Sequence, residues 1–379
     1  MSIEDLRNEI DKIDDEMTAL YKKRLEIVKN IGEEKKKTAT PVFDPNREQN
    51  ILLRVTENAT DEESLYLKRF FESVFETSKA YQTANSDKIS PVTEKIKDAV
   101  KNIKSDFPVR AKVACQGVAG AYSGIAANKL FEIADVTYFK TFDAVFTAVE
   151  KGFCKYGVLP IENSTAGSVN QVYDLMREHN FYIVKSIRVP IQHCLVAKKG
   201  VELKDIKEIV SHEQALSQCR KYLEKTGAKI TAVANTAVAA ESVKNSDRED
   251  LGAICSRESA TLYDLKILDS AVSDSDGNYT RFILIAKDME IYDDAKKVSI
   301  MTTLLHSPGA LYKLLAKFYN AGINMTKLES RPIVGSNFEF TFYFDFECDV
   351  KKPDVRSLIA ELDSSGESFT FLGAYSEKV

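Results

Sequence analysis

No stretch of this chain approaches the ~20 consecutive apolar residues that cross a bilayer. The opening segment, Met1-Ser-Ile-Glu-Asp-Leu-Arg, lacks the apolar core of a signal peptide. Both absences lead to the expectation of a cytoplasmic protein without a membrane partner. A long basic run is missing too, and the formal net charge is −5. Neutralising phosphates requires clustered Lys and Arg, so nucleic acid is not expected as the main partner. Cys115, Cys154, Cys194, Cys219, Cys255 and Cys348 never fall in a C-x-x-C spacing, and His179, His193, His212 and His306 form no ligand pattern. The thiols read as core residues; neither a metal nor a cofactor is expected. What the chain does have is core-forming capacity: 379 residues, 44% hydrophobic and 29% charged, enough for two or three domains.

At the N-terminus Ile3, Leu6, Ile10, Ile13, Met17, Leu20, Ile27 and Ile31 step by three and four, the seam of one long helix packed as in a coiled coil. Arg24 takes the missing seam position. A guanidinium on an apolar stripe needs a carboxylate or a ligand, unless its stem lies on the seam while its head reaches water. Run to about Lys36, the helix is roughly 50 Å long, whereas a domain of about 85 residues is only ~30 Å across. The expected remedy is an intertwined dimer, with shorter helices at about 45–58 and 62–83. On the last of these, Ser78 and Gln82 are polar at core-facing spacing and want partners.

Leu6-Arg7, Arg24, Lys35, Asp44, Arg47-Glu48, Ser78 and Gln82 resemble, in order and spacing, the all-helical chorismate mutase family. The likeness covers about residues 1–85. It implies that Arg7, Arg24, Arg47 and Lys35 hold the carboxylates and ether oxygen of chorismate, with Asp44, Glu48, Ser78 and Gln82 completing the hydrogen bonds. Lys35, Glu48 and Gln82 carry the catalytic burden in that reading. Such a rearrangement forms no bond to the enzyme, so positioning and electrostatics must supply the rate. Arg7 and Arg24 are roughly 25 Å apart along one helix, so Arg7 is expected to come from a partner subunit. Residues 86–108 read as a charged linker with one amphipathic helix (Ile96, Val100, Ile103).

From Val109 to Ala286, strand-like runs alternate with helical segments, the pattern of a parallel sheet covered by helices. The reading is a two-lobed α/β domain over 109–290, lobe one at about 109–187 plus 268–290 and lobe two at about 188–267. Small polar residues or Gly follow the strands: Gly117 to Ser123, Glu162 to Ser168, Ser211-His212-Glu213-Gln214 read as a helix capping box, Asn235-Thr236 and Ser256-Arg257. A polar turn from Ser273 to Asn278 runs into Tyr279-Thr280-Arg281-Phe282 at a strand entrance, where a rigid element can aim a hydroxyl and a guanidinium.

Gln116 to Ser123, Pro160-Ile161-Glu162-Asn163-Ser164, Ser211-His212-x-Gln214-Ala215-Leu216 and Asn278 to Phe282 together resemble the prephenate dehydratases, over the whole domain. Glu213 departs from the Pro common in that family and bears on helix entry. The resemblance implies a hinged cleft of the periplasmic-binding type in which Thr280 donates to the departing hydroxyl and Arg281 clamps a carboxylate. Asn163, Ser164, Ser211 and Gln218 would orient the substrate, and Glu162 is expected as the proton source.

Residues 297–379 follow the order βαββαβ, a split ferredoxin-like arrangement. Pro308-Gly309-Ala310-Leu311 and Glu329-Ser330-Arg331-Pro332 look like the two contact motifs of ACT regulatory domains. That likeness implies phenylalanine bound at a subunit interface by Gly309, Ala310, Leu311, Glu329 and Ser330, with end-product inhibition. The expectation is therefore a multidomain protein: an all-α intertwined domain, a two-lobed α/β domain and an α+β ACT domain. It would convert chorismate to prephenate and prephenate to phenylpyruvate, as a homodimer or tetramer. The alternatives are a single-activity prephenate or arogenate dehydratase whose helical domain only dimerises, and a non-catalytic small-molecule sensor.

Overall fold

The computed structural model describes residues 2–38, 44–84, 91–275, 277–304, 307–333, 335, 339–365 and 368–379. Residues 86–90 of the expected linker, Asp276 of the turn before Thr280, Leu305 and His306 before the Pro-Gly turn, and Asn337 at the head of an expected strand lie outside them. The chain divides into two compact units, one of residues 1–96 with 351–366, the other of residues 97–350 with 367–379.

The first unit is helical: α1 (Ile3–Lys37), α2 (Pro45–Thr56), α3 (Asp61–Ala84) and the start of α4 (Pro91–Lys101). Ser2 and Asp5 cap α1 reciprocally, each accepting from the other's backbone N–H, and Thr60 and Glu63 do the same for α3. Asp44 caps α2 by accepting from Arg47 N at 3.0 Å. Helix α3 packs on α1 and α2, with Val28, Val74 and Phe75 buried. The seam of α1 faces outward for most of its length: Leu20 is 68% and Ile27 52% exposed.

The second unit opens with β1 (Arg110–Gln116), α5 (Tyr122–Leu130), β2 (Ile133–Phe139), α6 (Phe142–Glu150), β3 (Tyr156–Asn163), β4 (Gly167–Ser168), α7 (Asn170–Leu175) and β5 (Tyr182–Pro190). A second lobe follows: β6 (Cys194–Ala197), β7 (Glu208–Ser211), α8 (Glu213–Gln218), α9 (Arg220–Thr226), β8 (Lys229–Ala232), α10 (Thr236–Asn245), β9 (Leu251–Cys255), α11 (Arg257–Leu262) and β10 (Lys266–Asp269). The chain returns in β11 (Tyr279–Ala286) and ends with β12 (Lys297–Thr303), α12 (Ala310–Asn320), β13 (Asn324–Pro332), β14 (Phe340–Glu347), α13 (Pro353–Ser365) and β15 (Ser368–Lys378). The six cysteines are free, and no described helix is long and apolar enough to cross a membrane.

Lobe two is a sheet in the order β10-β6-β9-β7-β8. Lobe one and the C-terminal strands share one continuous sheet, β13-β14-β12-β15-β5-β11-β3-β1-β2, with β4 on β3. The junction is the end of β15, where Ser376, Glu377 and Lys378 pair in parallel with Lys185, Ser186 and Ile187 of β5. Gly373 makes it possible: at φ 151° a side chain there would overlap the Ile183 carbonyl.

Three boundaries differ from the sequence reading. The run 268–272, expected to lead back to lobe one, begins in β10, which pairs with β6 of lobe two, so the crossover follows Asp269. The end of the linker belongs to the second unit: Phe107 packs on Phe131, Tyr156 and Tyr292, and Lys104 bridges to Tyr292. The segment 291–297, charged in sequence and leading into β12, buries Ile291, Tyr292, Ala295 and Lys297. The C-terminal order βαββαβ is as expected, but α13 falls in the first unit, where it meets α3.

Candidate functional sites

In the helical unit α1 and α3 bring Arg24 to Ser78, whose hydroxyl accepts from the guanidinium while donating to Val74 O at 2.5 Å. Half-burial lowers the Arg24 pKa somewhat against the opposing effect of Tyr21, the cost expected of a cation on an apolar seam. One turn on, the Gln82 side chain passes Gly32, and its buried Oε1 lacks a hydrogen-bond partner among the described residues. Glu48 meets Lys79 at 3.1 Å, a cation the sequence reading did not single out. Burial opposes the charge of Lys79, and Glu76 and Glu48 more than offset it, raising its pKa. Arg24, Ser78, Gln82 and Glu48 thus gather about α3. Asp44 and Arg47 lie exposed at the start of α2, and Lys35 is half-buried near the end of α1. Arg7 stands apart, seventeen residues from Arg24 on one unbroken helix, with Glu4 at 3.9 Å.

In the second unit the polar residues converge where β3 ends and β11 begins. Thr280 stands opposite Asn163, and Arg281 opposite Glu162. Asn163 Nδ2 donates to Thr280 Oγ1 at 2.9 Å and to Asn278 Oδ1 at 2.8 Å, while its Oδ1 accepts from the N–H groups of Thr165 and Ala166. Ser164 Oγ accepts from Tyr279 N at 2.9 Å. One amide thereby closes the 163–166 turn and feeds a hydrogen bond to Thr280. Because the threonine oxygen is accepting, its own proton remains to be donated.

Lobe two approaches from across the hinge. Tyr122 OH donates to Gln192 O, Ser259 Oγ to Gly120 O at 2.9 Å, and Tyr263 OH to Ala119 O. Ala119 and Gly120, in the glycine turn that follows β1, therefore bond the other lobe through their carbonyls. His193 Nε2 lies 2.9 Å from Gln218 Oε1, and the ring meets Tyr122 edge-on. Burial lowers the His193 pKa despite Gln218, favouring the neutral ring. His193 falls in no ligand pattern of the sequence, and only the fold places it between Tyr122 and Gln218.

Several expected roles change. Arg281 does not point where Thr280 points: neighbours on a strand face opposite sides, and its guanidinium, 7% exposed, goes to Asp345 and Tyr375. Glu162, expected beside Thr280 as proton source, shares Arg281's face and binds Lys327 Nζ at 2.8 Å. Ser211 is fully buried and donates to Ile254 O, and the cap of α8 is His212, whose Nδ1 accepts from Gln214 N. Asn235 and Ser256 are N-caps of α10 and α11. Glu329 accepts from Ser168 Oγ at 2.5 Å, whereas Ser330 is exposed on the other face of β13. Gly309, at φ 78°, precedes Ala310 and Leu311 at the N-terminus of α12. Among the described residues no group of acidic, His or Cys side chains could hold a metal.

Two family models match the chain: chorismate mutase type II over residues 6–83 and prephenate dehydratase over residues 113–290. A bifunctional chorismate mutase/prephenate dehydratase of Aquifex aeolicus (strain VF5) is 33% identical over 377 residues, 98% of this chain and 97% of that protein. An arogenate dehydratase/prephenate dehydratase of Arabidopsis thaliana is 37% identical over 282 residues, 70% of this chain and 72% of its own length. Among solved structures, a prephenate dehydratase of Arthrobacter aurescens in complex with L-Phe superimposes with a TM-score of 0.65 at 27% identity, covering 70% of this chain and 90% of that one.

Proposed function

The chain belongs to the bifunctional chorismate mutase/prephenate dehydratase family, and from that premise we propose how its residues carry the two reactions. It rearranges chorismate to prephenate and then converts prephenate to phenylpyruvate. For the first step, Arg24 and Arg47 are the carboxylate-binding guanidiniums, with Arg7 supplied by a second subunit. Lys35 faces the ether oxygen, and Asp44, Glu48, Ser78 and Gln82 complete the hydrogen bonds. The Arg24–Ser78 pair supports a site built for an anionic ligand, and the unpartnered Gln82 Oε1 is an acceptor for a ligand hydroxyl. The exposed seam of α1 supports a homodimer.

In the second step the ring hydroxyl leaves as water with one added proton, the ring carboxylate leaves as CO2, and the electron pair it releases completes the aromatic ring. Thr280 donates a hydrogen bond to the departing hydroxyl, with Asn163 and Ser164 fixing its direction and Gln218 reaching from the opposite lobe. The observation that carries this reading is the Asn163-to-Thr280 bond, which orients the donor. The C-terminal strands are an ACT-type module that binds phenylalanine at the α12 N-terminus (Gly309, Ala310, Leu311) with Glu329 and Ser330 of β13. The L-Phe complex of the Arthrobacter relative supports that ligand.

The purified full chain, given chorismate, is expected to form prephenate and then phenylpyruvate, and the second reaction should slow when phenylalanine is added. Phenylpyruvate formed from prephenate while chorismate is left untouched would overturn the mutase assignment and leave a dehydratase with a dimerising domain. No reaction with either substrate would leave a sensor.

A further inference from the structure

Opposed residues of neighbouring strands share a face, so the register defines one row across lobe one: Ser168 on β4, Glu162 on β3, Arg281 on β11 and Arg188 on β5. Each member is bound to the C-terminal strands. Ser168 donates to Glu329, Glu162 accepts from Lys327, and Arg188 lies 2.7 Å from Glu377. At the centre, Arg281 Nη1 donates to Asp345 Oδ2 at 2.5 Å and Nη2 to Tyr375 OH at 2.8 Å, while Nε makes an ion contact with Glu377 Oε1 at 2.8 Å. Ser299 donates to Asp345 and touches Tyr375 OH, so Arg281's partners are themselves held. One residue along, the row of Gly167, Asn163, Thr280 and Val189 faces the other way. The register of β3 against β11 slips between Arg281 and Phe282, a bulge of the kind that re-aims side chains beside sites.

A guanidinium buried to this depth, with both terminal nitrogens donating to protein groups and Asp345 and Glu377 balancing its charge, is held on the face of β11 turned away from Thr280. We propose that Arg281 is a positioning residue for the dehydration, fixing the direction of Thr280 by its anchorage on Asp345, Tyr375 and Glu377 of the C-terminal strands. The inference rests on the dehydratase reading and deepens it. A shift of the C-terminal sheet would then reach Thr280 through one peptide unit, because the two side chains share a strand and differ only in face.

The test uses the full chain carrying Arg281→Lys, Asp345→Asn, the double substitution, and the milder Tyr375→Phe, which deletes a single hydrogen bond should the charge variants fold poorly. Prephenate turnover is read as kcat and KM, with mutase activity measured in the same preparations as the check on folding. Expected are losses of about tenfold or more in kcat for Arg281→Lys and Asp345→Asn. KM should stay within about twofold, the mutase unchanged and the double variant no worse than the singles. Tyr375→Phe should show a smaller loss of the same kind. A KM for prephenate raised about tenfold in Arg281→Lys, with Asp345→Asn behaving as the wild type, would overturn the inference and return Arg281 to the substrate. Parallel loss of both activities and of thermal stability in every variant would reduce Arg281 to general support and also overturn it. Absence of prephenate turnover in the unmodified protein would instead sink the dehydratase assignment, and this inference with it.

Discussion

Asn163 and Thr280 stand directly opposite each other on antiparallel strands, and the amide of the first donates to the hydroxyl of the second at 2.9 Å. This contact sets which way the threonine proton points, and Asn163→Asp is the sharpest test of its importance. A carboxylate keeps acceptors for the Thr165 and Ala166 N–H groups but cannot donate, so the Thr280 hydroxyl would turn and give its proton to the new side chain. Asn163→Asp and Thr280→Ala should each lower the kcat for prephenate by about 10²-fold or more, with KM within about threefold, while Thr280→Ser keeps most activity. Steady-state kinetics on the purified variants decide it. A fully active Asn163→Asp protein would mean that the donor is elsewhere.

The mutase site yields a complementation experiment. Arg7 touches only Glu4 among the contacts described for it, and Arg24 lies seventeen residues further along the same helix. A compact substrate cannot bridge the roughly 25 Å between them. Arg7→Ala and Arg24→Ala chains should each lose most mutase activity. Mixed dimers should regain one of their two sites, giving about a quarter of wild-type activity in a statistical one-to-one mixture. An inactive mixture, with subunit exchange verified by mass, would place both guanidiniums in one chain's site or remove one from it.

How far the sequence could be read follows from these residues. The helical seam was legible because its period alone marks one apolar face of a helix, and Arg24 was visible as the break in it. The two-lobed architecture was legible from the alternation of strands and helices. Individual polar roles were not. Ser211, Asn235 and Ser256 follow strands as ligand-binding residues do, yet one bonds a carbonyl and two cap helices, and local sequence cannot separate these uses. Short β6 was missed because four buried residues after Pro190 carry no period to read. Arg281 was placed in the cleft because its neighbour is there, although alternation along β11 sends it to the other face. A signal for the true partner existed: Asp345 sits between Phe344 and Phe346 on a buried strand, where a carboxylate needs a cation.

Contact between the lobes should depend on Gly120. Its φ of 87° suits glycine, and a Cβ would sit 2.8 Å from Ser259 Oγ, which donates to the Gly120 carbonyl. Gly120→Ala therefore strains the turn by about 1 kcal/mol and pushes the lobes apart at the same point. With Gln218 in its proposed role, the expected outcome is a prephenate KM raised severalfold, with mutase activity unaltered. Unchanged dehydratase kinetics in Gly120→Ala would show that the turn and α11 do not govern approach of the lobes.

Glu290 provides a pH test of the join between the former linker and the second unit. Buried at 4% exposure, its carboxylate accepts from Tyr156 OH at 2.9 Å and Tyr292 OH at 2.8 Å, with Lys104 Nζ at 3.0 Å and Lys155 Nζ at 2.5 Å. Burial alone would raise its pKa, but hydrogen bonds from Lys155, Tyr292, Lys104 and Tyr156 outweigh it and bring the value to about 2, from 4.5. For a carboxylate with a depressed folded pKa, the stabilisation is present above the unfolded value and is lost as pH falls through the folded one. Glu290→Gln should therefore cost on the order of 2–3 kcal/mol at pH 7. The gap from the wild type should hold down to about pH 4.5 and close between there and about pH 2. Thermal melts of both proteins across that range measure it directly. A gap that persists undiminished at pH 2.5 would mean that the ionised carboxylate is not what holds Lys104 and Lys155 to Tyr156 and Tyr292, and that shape alone joins them.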